Sequence, residues 1–346
     1  MLDESRLLFI EGKPGSGKST ITKYFSDNLL EQETAAKSAI VAKFFYSYRE
    51  GELQRSHYNM LLSILYDILQ QDEAFFYHRF QNEYRAQRKH GLRVDWDYES
   101  LKRVFKSLQD YSTERRLYLI VDAVDESEEN DRRDIIKLLF QHCSSATQCI
   151  TKVFLASRPL GQLELRRTHV HNFISLQNET KTDIDNFAHS FLDDLNLTHT
   201  LAQATEYIVK NAQGVFLWVK LVGEELLTGV DEGYAEEDII EFLEKLPTEL
   251  EDMYKLMFER MNKNKNNLLH AEKMFQFVFF TRRPLTIDEL LHALGIPDDP
   301  NTEFIPSYES FQKRIPDERR IISGGGNFLE IKLYHGTYPT LQKSQN

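Results

Sequence analysis

Leu7-Leu8-Phe9-Ile10-Glu11-Gly12-Lys13-Pro14-Gly15-Ser16-Gly17-Lys18-Ser19-Thr20 is the stretch that decides the fold of this chain. An apolar run enters a glycine-rich loop, and Ile21-Thr22-Lys23-Tyr24-Phe25 leaves it with a helical pattern. Strand, loop and helix in that order, with residues 12–19 matching every fixed position, make a phosphate-binding P-loop. Glycine is required at 12, 15 and 17 because the backbone must turn tightly and bring its N–H groups against phosphate oxygens. The helix that opens near Gly17 adds unpaired donors and its positive dipole end. Lys18 is then placed to neutralise the β- and γ-phosphates, and the Ser19 hydroxyl to ligate Mg²⁺. Gly12, Pro14, Gly15, Ser16, Gly17, Lys18, Ser19 and Thr20 are the expected cradle of a nucleoside triphosphate.

Outward from the loop, apolar strands alternate with helical patterns. Ala39–Phe45 is β-rich, Leu117–Val121 is a continuous apolar run suited to a buried parallel strand, and Val153–Ala156 and Asn172–Leu176 complete the set. Between them, residues 58–69 and 135–140 carry helical spacing. This alternation predicts an α/β fold, a parallel sheet covered by helices. After about Gln177 only helical periodicities remain, broken at Leu246-Pro247 and resumed at Glu249–Met261. A different small unit begins near Leu268: a helix to Phe280, then Ile287–Leu294, which Thr286 caps just ahead of Asp288 and Glu289. The short run Ile331–Tyr334 reads as a strand.

The second signal is Asp122-Ala123-Val124-Asp125-Glu126, at the end of the run Leu117–Val121. A carboxylate at the C-terminal end of a parallel strand lies in the crevice where such sheets bind ligands. Asp122 is expected to hold Mg²⁺ directly or through water, and Glu126 to orient or activate the attacking water. Asp125 could share either role. Ser157-Arg158-Pro159 closes the strand Val153–Ala156, so Arg158 is placed to sense the γ-phosphate through charge-assisted hydrogen bonds. No Asn-Lys-x-Asp motif follows a strand, which favours ATP over GTP.

Composition sets limits on other functions. A net charge of −12 over 346 residues argues against broad binding to nucleic-acid backbones. The basic group Arg85, Arg88, Lys89, His90 and Arg93 reads as a solvated helix face and loop. No apolar run approaches the ~18 residues that span a membrane, and no signal-peptide pattern precedes the P-loop. Cys143 and Cys149 lack accompanying ligands at metal-site spacing and read as incidental thiols. A cytoplasmic protein with neither nucleic-acid nor membrane partners is the expectation.

LLFIEGKPGSGKST, LYLIVDAVDES, FLASRP, GVFLWVKLV (Gly214–Val222) and RRPLTIDELLHAL (Arg282–Leu294), taken in this order, resemble the NACHT-domain group of signal-transduction NTPases, the STAND class. The pattern is most like the large fungal NACHT proteins, whose nucleotide-binding part is similar to the N-terminal region of nephrocystin-3. The resemblance runs from about residue 5 to 335. It implies a P-loop core (1–178), a helical domain (179–262) and a winged-helix-like domain (263–340) that locks an ADP state, with slow ATP hydrolysis. It also places Gly214-Val215-Phe216 at the adenine-side motif, with Phe216 where proline is usual, and His335 on a strand that reaches the nucleotide. Nucleotide-dependent homo-oligomerisation and protein partners bound through modules absent from this chain follow from the same resemblance.

The sequence departs from that pattern at both ends. Only six residues precede the first strand, where relatives line the adenine pocket. Gly336-Thr337-Tyr338-Pro339 abandons the helix expected after His335. A truncated or stand-alone switch is the expectation. Three readings stay open: a hydrolysing switch, a non-hydrolysing nucleotide-binding scaffold, and a small-molecule P-loop kinase, against which the helical tail and the acids of Asp122–Glu126 count.

Overall fold

The computed structural model describes residues 6–32, 39–88, 96–144, 148–159, 172–193, 199–231, 233–262, 265–281, 283, 285–296, 315–316, 329–334 and 338–343. Its centre is a parallel sheet of five strands: β1 (Arg6–Glu11), β2 (Ile40–Phe45), β3 (Leu117–Asp122), β4 (Thr151–Ser157) and β5 (Asn172–Ser175). The spatial order is β2-β3-β4-β1-β5. All five strands expected from the apolar runs are present. The order itself was not readable from them, and β4 separates the P-loop strand from the strand that carries Asp122.

Alternation along the strands builds a helix layer on each face. Leu7, Phe9, Leu119, Val121, Val153 and Leu155 pack on one side with α2 (His57–Gln71), α5 (Tyr98–Ser107) and α6 (Arg132–Ser144). Ile10, Ile120, Phe154 and Ala156 pack on the other, with Leu29 and Phe25 of α1 (Lys18–Gln32). α2 starts at Ser56, whose side chain accepts from the Asn59 N–H, and buries Met60, Leu61, Ile64, Leu65 and Ile68 at helical spacing. Between α2 and α5 lie the short α3 (Glu73–Phe75), a π-helical turn (Phe76–Phe80) and α4 (Gln81–Arg88). Sequence reasoning passed over α5. Its signal was Asp97, which caps the Ser100 N–H at 2.8 Å, followed by Leu101, Val104 and Phe105 on one face.

Arg85 and Arg88 are exposed on α4, as expected of a solvated face, while residues 89–95 lie outside the described residues. Cys143 and Cys149 are free and buried, and burial pushes the Cys143 thiol up to about 12, so neither resembles a reactive thiolate.

The downstream helices are α7 (Leu176–Glu179), α8 (Lys181–Leu192), α9 (Leu201–Ala212), α10 (Phe216–Asp231), α11 (Glu236–Lys245), α12 (Leu250–Asn262), α13 (Lys265–Phe280) and α14 (Ile287–Gly295). Pro247 separates α11 from α12, and its carbonyl accepts from Trp218 Nε1 at 2.8 Å, which gives that core indole its partner. Thr286 and Glu289 form a reciprocal cap at the start of α14. Three short strands, β6 (Leu285–Thr286), β7 (Leu329–Tyr334) and β8 (Tyr338–Lys343), pair antiparallel in the order β6-β8-β7. Beyond Tyr334 the chain therefore turns back as a strand. His335 lies outside the described residues.

Two compact units divide the chain. One holds residues 1–187 together with Ala212–Phe216, the other residues 188–211 and 217–346. The turn between α9 and α10 thus belongs with the sheet, although the helices on either side of it do not.

Candidate functional site

The P-loop leaves β1 with the Gly12 N–H donating to the Ser157 carbonyl at 3.2 Å, so the loop starts anchored to the end of β4. Gly15 and Gly17 take positive φ (71° and 87°), a region that side chains disfavour. A Cβ on Gly12 would fall 2.3 Å from Ser16 Oγ. Glycine at these positions therefore lets the cradle form without strain or clash. Helix α1 begins at Lys18, and the Ile21 N–H closes its first turn on the Gly17 carbonyl at 3.0 Å. Pro14 and Thr20 lie on the same loop and first turn.

Lys18 Nζ curls over the loop, donating to the Gly12 carbonyl at 2.7 Å and the Lys13 carbonyl at 3.0 Å. Burial pushes its pKa down, with the Arg158 charge adding to that, while Asp125 foremost, then Asp122 and Glu126, pull it up. A buried ammonium held only by carbonyl oxygens is poised to exchange them for phosphate oxygens.

Asp122 ends β3 almost wholly buried. Burial raises its pKa, and a hydrogen bond from the Ser19 hydroxyl is the main effect opposing that rise. Its Oδ1 has no hydrogen-bond partner, nor does the buried Ser16 Oγ. An orphaned carboxylate oxygen next to a hydroxyl suits a hard divalent cation with oxygen ligands. No group of three or more His, Cys, Asp or Glu residues is gathered for a metal among the described residues, so the donor set fits a cation arriving with a nucleotide.

Immediately after Asp122, Ala123 adopts a left-handed conformation (φ 58°, ψ 42°), which turns the chain into the short 3₁₀ turn Val124–Glu126. That turn delivers two carboxylates to the end of β4. Asp125 Oδ1 accepts from the Arg158 N–H at 2.9 Å and from Ser157 Oγ at 3.2 Å, and Oδ2 lies 3.1 Å from Arg158 Nε. Glu126 Oε1 lies 3.6 Å from an Arg158 Nη, while Oε2 accepts from the Tyr48 N–H at 2.9 Å. Here Asp125 buttresses the β4 terminus, and Arg158 bridges both acids with its guanidinium about half exposed.

On the other flank of the loop, Gly214 has φ 77°, and a Cβ there would lie 2.3 Å from Gln177 Cα. This close approach seats the Ala212–Phe216 turn against α7. Lys13 Nζ donates to Gln213 Oε1 at 2.6 Å. The Phe216 ring lies 3.8 Å from where a Gly17 Cβ would be and meets Phe187 edge-on, with centroids 5.8 Å apart.

The structure thus brings the P-loop, Asp122, Asp125, Glu126, Arg158, Gly214 and Phe216 into one unit, with only His335 of the expected site residues outside the described set. Sequence reasoning missed Tyr48, which acts through its backbone and leaves no residue-type signal, and the Lys13–Gln213 contact between remote segments.

Residues 1–158 match the family described as the N-terminal region of nephrocystin 3. The vegetative incompatibility protein HET-E-1 of Podospora anserina is 25% identical over 309 residues, covering 86% of this chain and 22% of that protein. The chain thus spans less than a quarter of this relative's length. Among solved structures, Drosophila ORC bound to DNA aligns over 99% of this chain and 79% of its own at 10% identity, with a TM-score of 0.42. A Walker-type ATPase of Pyrococcus abyssi aligns over 99% and 89% at 13% identity, with a TM-score of 0.38. Such distant likenesses add no argument about function. The family match across the P-loop and its acids, with the similarity to HET-E-1 along most of the chain, supports a NACHT-like NTPase.

Proposed function

We propose that this chain is an ATP-binding signal-transduction switch of the NACHT type, one that hydrolyses ATP slowly and rests with ADP bound. One observation carries the reading. Across the mouth of the P-loop, the Ser19 hydroxyl is bonded to Asp122, whose other oxygen is buried without a partner. Ser19 and Asp122 would hold Mg²⁺, which supplies charge neutralisation between the phosphates when bound. Lys18 exchanges its carbonyl partners for phosphate oxygens. Glu126, held by the Tyr48 N–H and the Arg158 charge, would orient the water, while Asp125 holds Arg158 at the end of β4, where it could meet the γ-phosphate. Gly214 and Phe216 form the base-side wall, Phe216 offering an aromatic face beside Gly17.

The division into a core (1–178), a helical domain (179–262) and a winged-helix-like domain (263–340) belongs to this proposal. So do His335 as a nucleotide contact, homo-oligomerisation, a cytoplasmic location and protein partners recognised through other modules. No helix among the described residues is long and apolar enough to cross a membrane. A non-hydrolysing scaffold is the second reading. It is favoured by one contact, the guanidinium of Arg158 lying against both Asp125 and Glu126.

The nucleotide carried by the purified protein, released by denaturation and separated by chromatography, tests the proposal. ADP is expected. GDP overturns the base assignment, retained ATP with no turnover transfers the case to the scaffold, and an empty site removes the resting ADP state.

A further inference from the structure

Glu126 Oε2 is held by a backbone donor, the Tyr48 N–H at 2.9 Å, from the loop between β2 and α2. That loop is stitched to the turn after β3 by a hydrogen-bond network centred on the buried His57. Tyr46 Oη lies 2.8 Å from His57 Nδ1, and His57 Nε2 lies 3.1 Å from the Glu128 carbonyl. A carbonyl can only accept, so Nε2 carries the hydrogen and Nδ1 accepts from the Tyr46 hydroxyl. The His57 N–H donates to Glu128 Oε1 at 2.8 Å, and the Glu128 N–H to the Arg55 carbonyl at 2.9 Å. His57 is fully buried, and burial pushes its pKa down while Glu128 opposes the shift, in keeping with a neutral ring. Tyr48 itself is exposed, with its ring under the Arg55 guanidinium at 4.2 Å. Its amide therefore depends on the loop's anchorage for its place.

We propose that His57 is a positioning residue for Glu126: it locks the β2–α2 loop onto the turn after β3, and the Tyr48 amide then fixes the carboxylate. The role rests on reading Glu126 as the water-orienting acid. The geometry shows why a histidine serves. One rigid ring donates at one nitrogen and accepts at the other, joining a strand end, a helix start and the acidic turn. Glutamine could reproduce both roles, and alanine neither.

The test uses the full chain, with turnover at saturating ATP, ATP affinity and hydrogen exchange at the Tyr48 amide as separate readouts. His57→Ala should lower turnover about tenfold or more with affinity nearly unchanged, since small misplacements of a catalytic group are costly. The Tyr48 amide should exchange about tenfold faster as the loop opens locally. His57→Gln should recover most of both. Tyr46→Phe, which keeps the ring and removes one hydroxyl, should shift both readouts about threefold, the scale of one hydrogen bond. Parallel loss of affinity and turnover in His57→Ala without rescue by His57→Gln would reduce the histidine to a structural role and overturn the proposal. If the wild-type protein turns over no ATP, the functional reading fails. The Tyr48 amide still decides the positioning role then, and unchanged exchange in both His57→Ala and Tyr46→Phe overturns it.

Discussion

The two flanks of the candidate nucleotide site are built in opposite ways. The phosphate flank, Gly12–Thr20 with Asp122, draws on short segments at the ends of parallel strands β1 and β3, with β4 between them, each with a fixed local pattern. The proposed base flank, Ala212–Phe216, is a single turn lying far along the chain between two helices of the other compact unit, held against α7 by a glycine with no room for a side chain. The phosphate flank is local chemistry repeated by any P-loop. The base flank is a long-range contact that, on the proposed reading, would tie nucleotide to a downstream segment. The proposed switch would need both, because a ligand shifts an equilibrium only through contacts that differ between states.

Four substitutions should separate the flanks, in descending order of effect. Lys18→Ala should abolish detectable nucleotide binding, a loss of roughly 10³-fold or more, with the melting temperature hardly changed. Its ammonium would serve phosphate on the proposed reading, and in this structure it is bonded only to two loop carbonyls. Titration with a fluorescent ATP analogue checks this, and unchanged affinity would remove the P-loop assignment. On the other flank, Gly214→Ala combines a left-handed backbone with a clash against Gln177 Cα. It should cost about 3 kcal/mol in chemical denaturation, summing the usual penalties for the two effects. A neutral result there would mean that the turn is not seated as described.

Glu126→Gln should leave ATP affinity within about twofold and lower turnover on the order of 10²-fold, the scale of losing a general base. Single-turnover hydrolysis separates the two quantities, and equal rates for mutant and wild type would favour the scaffold. Phe216→Ala should have the smallest effect, weakening ATP and ADP alike by about 1 kcal/mol, as for one aromatic contact. Inorganic triphosphate, which has no base, should bind the mutant and the wild type equally. If triphosphate binding also weakened, Phe216 would be supporting the loop at Gly17 rather than facing the base.

Acid offers a separate probe of the core beneath both flanks. His142 is buried on α6 against Phe105, and burial lowers its pKa from 6.5 to about 4. Between those values the unfolded chain binds the proton that the folded chain refuses. Stability should therefore fall by about 3 kcal/mol as pH drops from 6.5 to 4, since each pH unit between the two values costs about 1.4 kcal/mol. Denaturation midpoints measured across that range should show the loss, and its absence in His142→Leu would assign it.

By itself the sequence determined the parts that local rules govern. Glycine spacing dictated the phosphate cradle, since that residue takes the positive φ values at Gly15 and Gly17 without the strain a side chain brings. Continuous apolar runs dictated buried parallel strands, and Thr286 with Glu289 dictated the start of a helix. What the tertiary structure alone decided is order and proximity. No run of residues says that β4 enters between β1 and β3, and that insertion is why Arg158 meets Asp125 and Glu126 at its end. Nor does any motif announce that Tyr48 holds Glu126 through a backbone amide, or that Gln213 reaches Lys13. Backbone donors exist at almost every residue and long-range contacts carry no period, so only the folded chain chooses among them.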